Sequence, residues 1–135
     1  MTLFDSFNEN FFWDVARETN FPFYNVGVME DNEDRFFVQL ALAGYDPSKI
    51  KVTLDKGILT IEGDKPELPD NVRYVSMGIK QSAFRRRFRL ADHVHVEDVA
   101  YHDGMLVVML ERRVPDEEKP KVFEVSHKSG SKLLG

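Results

Sequence analysis

Residues 35–62, RFFVQLALAGYDPSKIKVTLDKGILTIE, decide the fold. Arg35–Ala43 is a β-branched and aromatic run ended by Gly44 and the turn signal Asp46-Pro47-Ser48. Lys49–Leu54 then alternates, with Ile50, Val52 and Leu54 on one face, and Asp55-Lys56-Gly57 turns the chain into Ile58–Glu62. Leu59 and Ile61 share one side of that segment; Ile58, Thr60 and Glu62 share the other. The period of two, joined by a short Gly-containing turn, predicts a tight β-hairpin.

The same pattern extends in both directions. Tyr24–Met29 precedes it, and Ala83–Leu90, Glu97–His102 and Met105–Leu110 follow, the last two joined by Asp103-Gly104. A weaker strand is expected around Arg73–Met77, after the breaker-rich stretch Gly63–Asn71 (GDKPELPDN). Short strands at this spacing, with no helix of ordinary length needed, predict an all-β, immunoglobulin-like antiparallel β-sandwich over residues 24–114.

Both ends differ in composition. Residues 1–23 hold Phe4, Phe7, Phe11, Phe12, Trp13, Phe21 and Phe23, and Phe4, Phe7 and Phe11 recur at helical spacing. Residues 115–135 combine Pro115, Pro120 and a charged run with one apolar patch, Val122-Phe123-Glu124-Val125, which predicts an extended, solvated tail. The chain therefore reads as three parts: an aromatic arm (1–23), a sandwich (24–114) and a tail (115–135), both ends being flexible.

Composition narrows the function. The 135 residues carry 18 basic and 23 acidic side chains, a net charge of −5, which opposes general binding of nucleic acid. No cysteine is present, so disulfide and thiolate chemistry are excluded. The start lacks the basic residues of a secretory signal and carries Asp5, Glu9 and Asp14. No apolar run approaches the roughly 20 residues that span a bilayer. These features point to the cytoplasm. No phosphate-binding glycine loop appears, and His93 and His95 without a third ligand do not make a metal site, so neither enzyme nor cofactor is expected.

Taken in order, PFYNV (22–26), RFFVQLALAGYDPSKIKV, GILTIEGDK (57–65), AFRRRFRLADHV (83–94), DGMLVVML (103–110) and VPDEEKPKVFEV (114–125) resemble the small heat-shock proteins, whose unit is the alpha-crystallin domain, most of all the bacterial inclusion-body-binding class. The family's Ala-x-x-x-Asn-Gly-x-Leu signature has Val99 in place of Ala and Asp103 in place of Asn here, which calls for a small compensating neighbour such as Ala100. The resemblance implies an ATP-independent holdase that binds partly unfolded proteins. Its partners are unfolded clients and itself, as a strand-exchanged homodimer assembling into larger oligomers. Co-chaperone adaptors and non-chaperone modules of the same sandwich are the alternatives.

The resemblance also distributes roles. Phe4, Phe7, Phe11, Phe12 and Trp13 fall in the client-binding arm, where each large ring offers roughly 150–250 Å². Tyr74, Val75 and Met77 lie in a loop that crosses to the partner in bacterial members. Phe123 and Val125 occupy the place of an Ile-x-Ile tail motif that docks between two core strands of a neighbour. The docking groove would use Ile50, Val52 and Leu54 with Val99 and Tyr101. Burying two such side chains yields about 3–6 kcal/mol before ordering costs, so assembly must sum many weak links. In FRRRFRL, alternation puts Arg85, Arg87 and Arg89 outward and Arg86 among Phe84, Phe88 and Leu90. A guanidinium in that setting must be paired, and Arg86 is expected to meet a carboxylate or carbonyls across the dimer seam, or else to snorkel from an edge.

Overall fold

The computed structural model describes residues 21–126 and the backbone of 12–14. Among the described residues eight strands form two antiparallel four-stranded sheets. The strands are β1 (Phe12–Asp14), β2 (Tyr24–Met29), β3 (Asn32–Ala41), β4 (Ile50–Asp55), β5 (Ile58–Gly63), β6 (Phe84–Leu90), β7 (Val94–His102) and β8 (Met105–Arg112). One sheet runs β1-β6-β5-β4 and the other β2-β3-β8-β7. The alpha-crystallin-like sandwich of the sequence reading is the fold observed.

Alternation sets the interior. Phe36, Val38 and Leu40 of β3, with their cross-strand neighbours Leu110, Val108 and Leu106 of β8, pack in one core with Leu59 and Ile61 of β5 and Phe84, Phe88 and Leu90 of β6. In β6 every second residue is buried, and Arg85, Arg87 and Arg89 are exposed as expected. Lys56 and Gly57, like Asp103 and Gly104, both take positive φ, the two-residue hairpin turn whose twist matches the flanking strands.

Two expectations are corrected. Arg73–Met77 is not a strand; residues 64–83 form an irregular excursion between β5 and β6, and Val75 is 95% exposed. The segment has no strand to pair with in the single chain, and alone its mixed sequence cannot bury enough to order a ladder. β7 begins at Val94, before Glu97, because a bulge between Val96 and Asp98 shifts the period. Val94 and Val96 face inward before it, and Val99 and Tyr101 after it, so simple alternation cannot join them. The arm also contributes a strand, since β1 pairs with β6 in the register Phe12↔Leu90 and Asp14↔Phe88.

The excursion is gripped at its far end. The Tyr45 hydroxyl donates to the Ser82 carbonyl at 2.7 Å and accepts from the Ser82 amide at 2.9 Å. Gln81 Nε2 donates to the Ala43 carbonyl at 3.1 Å. Tyr45 is itself in the core, ring to ring with Phe84 at 5.6 Å and with Phe21 at 6.5 Å.

Candidate functional site: two open sheet edges and an extended tail

Each sheet ends in a strand with one covered face and one free edge. Tyr24 of β2 packs its ring on Phe88 of β6 at 5.1 Å, which sets β2 above β6. With the orders β2-β3-β8-β7 and β6-β5-β4, the opposite edges β7 and β4 lie together on the other side of the sandwich.

That side is incompletely sealed. Val52 pairs with Ile61 and Leu54 with Leu59, so Ile50, Val52 and Leu54 project to the inner face, yet all three remain half-exposed. Val99 pairs with Val108 and Tyr101 with Leu106, which gives them the same inner orientation. Val99 is nevertheless 40% exposed. An inward side chain with that much exposure means that no opposing strand covers it. The five residues assigned to a groove thus lie on the inner faces of two outer strands, Ile50, Val52 and Leu54 on β4 and Val99 and Tyr101 on β7. Val96 extends the β7 row and was missed, because the bulge hid the first part of the strand. The compensating small neighbour expected for Val99 is not needed: the site is open, and Ala100 lies exposed on the outer face. The Tyr101 hydroxyl donates to the Leu42 carbonyl at 2.7 Å, which fixes its ring at the end of the row.

The tail leaves the end of β8 and carries its motif into solvent. Phe123 is 80% and Val125 fully exposed, so the motif does not cap its own domain. A 3-10 turn at Asp116–Glu118 precedes it.

Arg86 is 2% exposed and sits inside the sandwich of its own chain. Its guanidinium lies over the Tyr24 ring at 4.8 Å and near Phe88 at 5.9 Å. The contact seen is therefore internal, and the snorkelling alternative is set aside by the burial.

Tyr74 and Met77 are exposed, like Val75, on the excursion between β5 and β6. Phe4, Phe7 and Phe11 lie outside the described residues, as do the side chains of Phe12 and Trp13. A feature not anticipated is a hollow of about 550 Å³ bounded by Phe21, Phe23, Ala41, Tyr45, Ile79 and Met105. Only the aromatics at 21 and 23 signalled it in sequence.

Among the described residues no three His, Asp or Glu side chains come together as metal ligands. His95 is exposed on β7, and His93 pairs instead with Glu118, Nε2 to Oε2 at 2.7 Å. No described helix is long and apolar enough to cross a membrane.

Comparison with known proteins agrees with this geometry. The model of the Hsp20/alpha crystallin family matches residues 28–126. Small heat shock protein HspA of Bradyrhizobium diazoefficiens is 40% identical over 117 residues, covering 87% of this chain and 75% of that protein. Small heat shock protein IbpA of Escherichia coli is 30% identical over 106 residues, covering 78% and 76%. Among solved structures, a small heat shock protein from Synechococcus phage S-ShM2 aligns with a TM-score of 0.59 at 32% identity, over 78% of this chain and 99% of that one. With the fold, the order of its motifs and these relatives in agreement, the chain belongs to the small heat-shock proteins of the Hsp20/alpha-crystallin family.

Proposed function

We propose that this chain is an ATP-independent holding chaperone that binds partly unfolded proteins and suppresses their aggregation. Family membership carries the general role of a small heat-shock chaperone. The observation that supports the finer reading is the pairing of an open apolar groove with an exposed tail motif of matching chemistry. Ile50, Val52, Leu54, Val99 and Tyr101 offer two apolar rows, and Phe123 and Val125 offer two alternate side chains on an extended segment. An extended peptide set between two strand edges gains main-chain hydrogen bonds and side-chain burial together. Because the tail stands off its own groove, the reading places it in a neighbour's groove, linking dimers into larger oligomers by weak, exchangeable contacts.

The dimer itself is proposed to form by strand exchange. Among the described residues β2 is the outer strand of its sheet, an edge suited to pairing with a further strand. Tyr74, Val75 and Met77 are exposed on a segment long enough to reach a second subunit. Adding that segment to a partner's β2 would satisfy both. The aromatic arm, with Phe4, Phe7, Phe11, Phe12 and Trp13, is the proposed client contact.

Light scattering from a heat-labile client, with no nucleotide present, tests the function. Equimolar or smaller amounts of this chain are expected to suppress the scattering. A scattering curve that does not change overturns the holdase reading.

A further inference from the structure

The root of the tail is tied to the domain at a point that neither the groove nor the motif explains. His93 precedes β7 in the left-handed conformation, φ +68. A non-glycine residue held there is locally strained, and its surroundings must compensate. Its carbonyl accepts from the Arg113 amide at 2.8 Å, and its Nε2 meets Glu118 at 2.7 Å. Glu118 stands in the 3-10 turn, whose own amide donates to the Pro115 carbonyl at 2.9 Å, while Lys119 pairs with Asp116 at 3.2 Å. One residue thus fixes the end of β8 through its backbone and the tail through its side chain.

We propose that His93 and Glu118 form a clasp that aims the docking motif away from its own groove and toward a neighbouring subunit. This rests on the tail-docking reading given above. Between Glu118 and Phe123 lie only four residues, one of them Pro120, a span of about 17 Å when extended. Fixing Glu118 therefore keeps Phe123 within about 17 Å of the end of the sandwich where β7 begins. β7 is also one wall of the chain's own groove, so an untethered tail could fold back along Val96 and Val99. In the clasped state Phe123 and Val125 stay exposed instead. His93 acts here as a positioning residue: it touches the root, not the motif.

The test uses the full chain, which has no cysteine, labelled with a nitroxide through Lys121→Cys. His93→Asn keeps a residue suited to positive φ but too short to reach Glu118; Glu118→Ala removes the other half. The clasp is read first in a chain also carrying Phe123→Ala and Val125→Ala, where docking cannot contribute. Each clasp variant is expected to narrow the label's spectrum to the same extent, and the two together to narrow it no further. Unchanged spectra overturn the clasp. With the motif intact, the same variants are expected to shift the oligomer distribution toward dimers, less than motif removal does. If motif removal shrinks the oligomers and clasp variants leave them unchanged, the aiming role is overturned. If motif removal itself changes nothing, docking fails and aiming falls with it, while the spectra still report the clasp.

Discussion

The Arg86 guanidinium lies 4.8 Å from the centroid of the Tyr24 ring, so a charge carried by β6 is held by an aromatic of β2, across the sandwich. Arg86 is the buried charged residue among the described ones, and the ring face supplies part of the field that water would otherwise provide. Tyr24→Leu is expected to lower stability by about 1–3 kcal/mol, and Tyr24→Phe by clearly less, since the ring face remains. Urea midpoints at fixed chain concentration read the difference. Equal losses would mean that the ring is ordinary core packing.

Val99 should report on the groove without disturbing the core. It lies on the inner face yet is 40% exposed, so Val99→Asp removes apolar docking surface while leaving the substituted side chain in contact with water. Oligomers are expected to shift toward dimers as they do on loss of Phe123 and Val125, and combining the changes should add little. Its cross-strand neighbour Val108 is fully buried, and Val108→Asp is expected to unfold the domain. A sizing column with circular dichroism separates the two effects. Val99→Asp oligomers of wild-type size would show that β7 does not receive the tail.

Tyr45 should give a signature in alkaline solution. Burial pushes its phenol above the ordinary value of 10.0, against an opposing pull from its hydrogen bond with Ser82. The unfolded chain therefore ionises first, and the folded state binds the proton more tightly. This contribution to stability is complete below about pH 10 and is lost as pH rises from there through the folded-state value. Tyr45→Phe is expected to cost about 1–3 kcal/mol at neutral pH, through two hydrogen bonds, and to flatten the alkaline decline. Parallel slopes for both proteins between pH 9 and 11 would contradict the assignment.

Gly104 occupies a left-handed turn at φ +77, and a Cβ there would approach the Cβ of Ala43 at 3.0 Å and its Cα at 3.1 Å. Backbone preference and contact both oppose a side chain. Gly104→Ala is expected to destabilise the domain by about 1–3 kcal/mol, measured as a shift in urea midpoint. A neutral substitution would mean that the β7–β8 hairpin relaxes freely.

Much of this architecture was legible because periodicity and turn chemistry agree. The hairpin at Lys56-Gly57, the inward Phe84, Phe88 and Leu90, and the shared face of Ile50, Val52 and Leu54 all follow from a period of two with breakers in the right places, whereas the pairing of that face with Val99 and Tyr101 as a groove came from the family resemblance. What stayed hidden has physical causes. The bulge at Glu97 shifts the period in the middle of β7, which concealed Val94, Val96 and the full length of the groove. Arg86 could be read as inward, but its ring partner Tyr24 lies 62 positions away, and no local pattern encodes that meeting. The His93–Glu118 contact joins residues that sequence presented as one of two nearby histidines, with His95, and as part of a solvated charged run. Residues 73–77 have strand-like composition without a strand, because composition specifies a preference and a ladder needs a second edge.

The grip of Tyr45 on Ser82 has a mechanical consequence. Both backbone groups of Ser82 are bonded, and Gln81 is bonded to Ala43, so residues 64–80 join β6 through a segment held to the domain. The excursion behaves like a handle riveted to a rigid plate. It can be taken up or released by another body while the plate keeps its shape. If the dimer forms by the strand exchange proposed above, recruitment and release of subunits are separated from melting of the domain, and the amides of β5 and β6 should resist exchange with solvent equally in free and assembled chains.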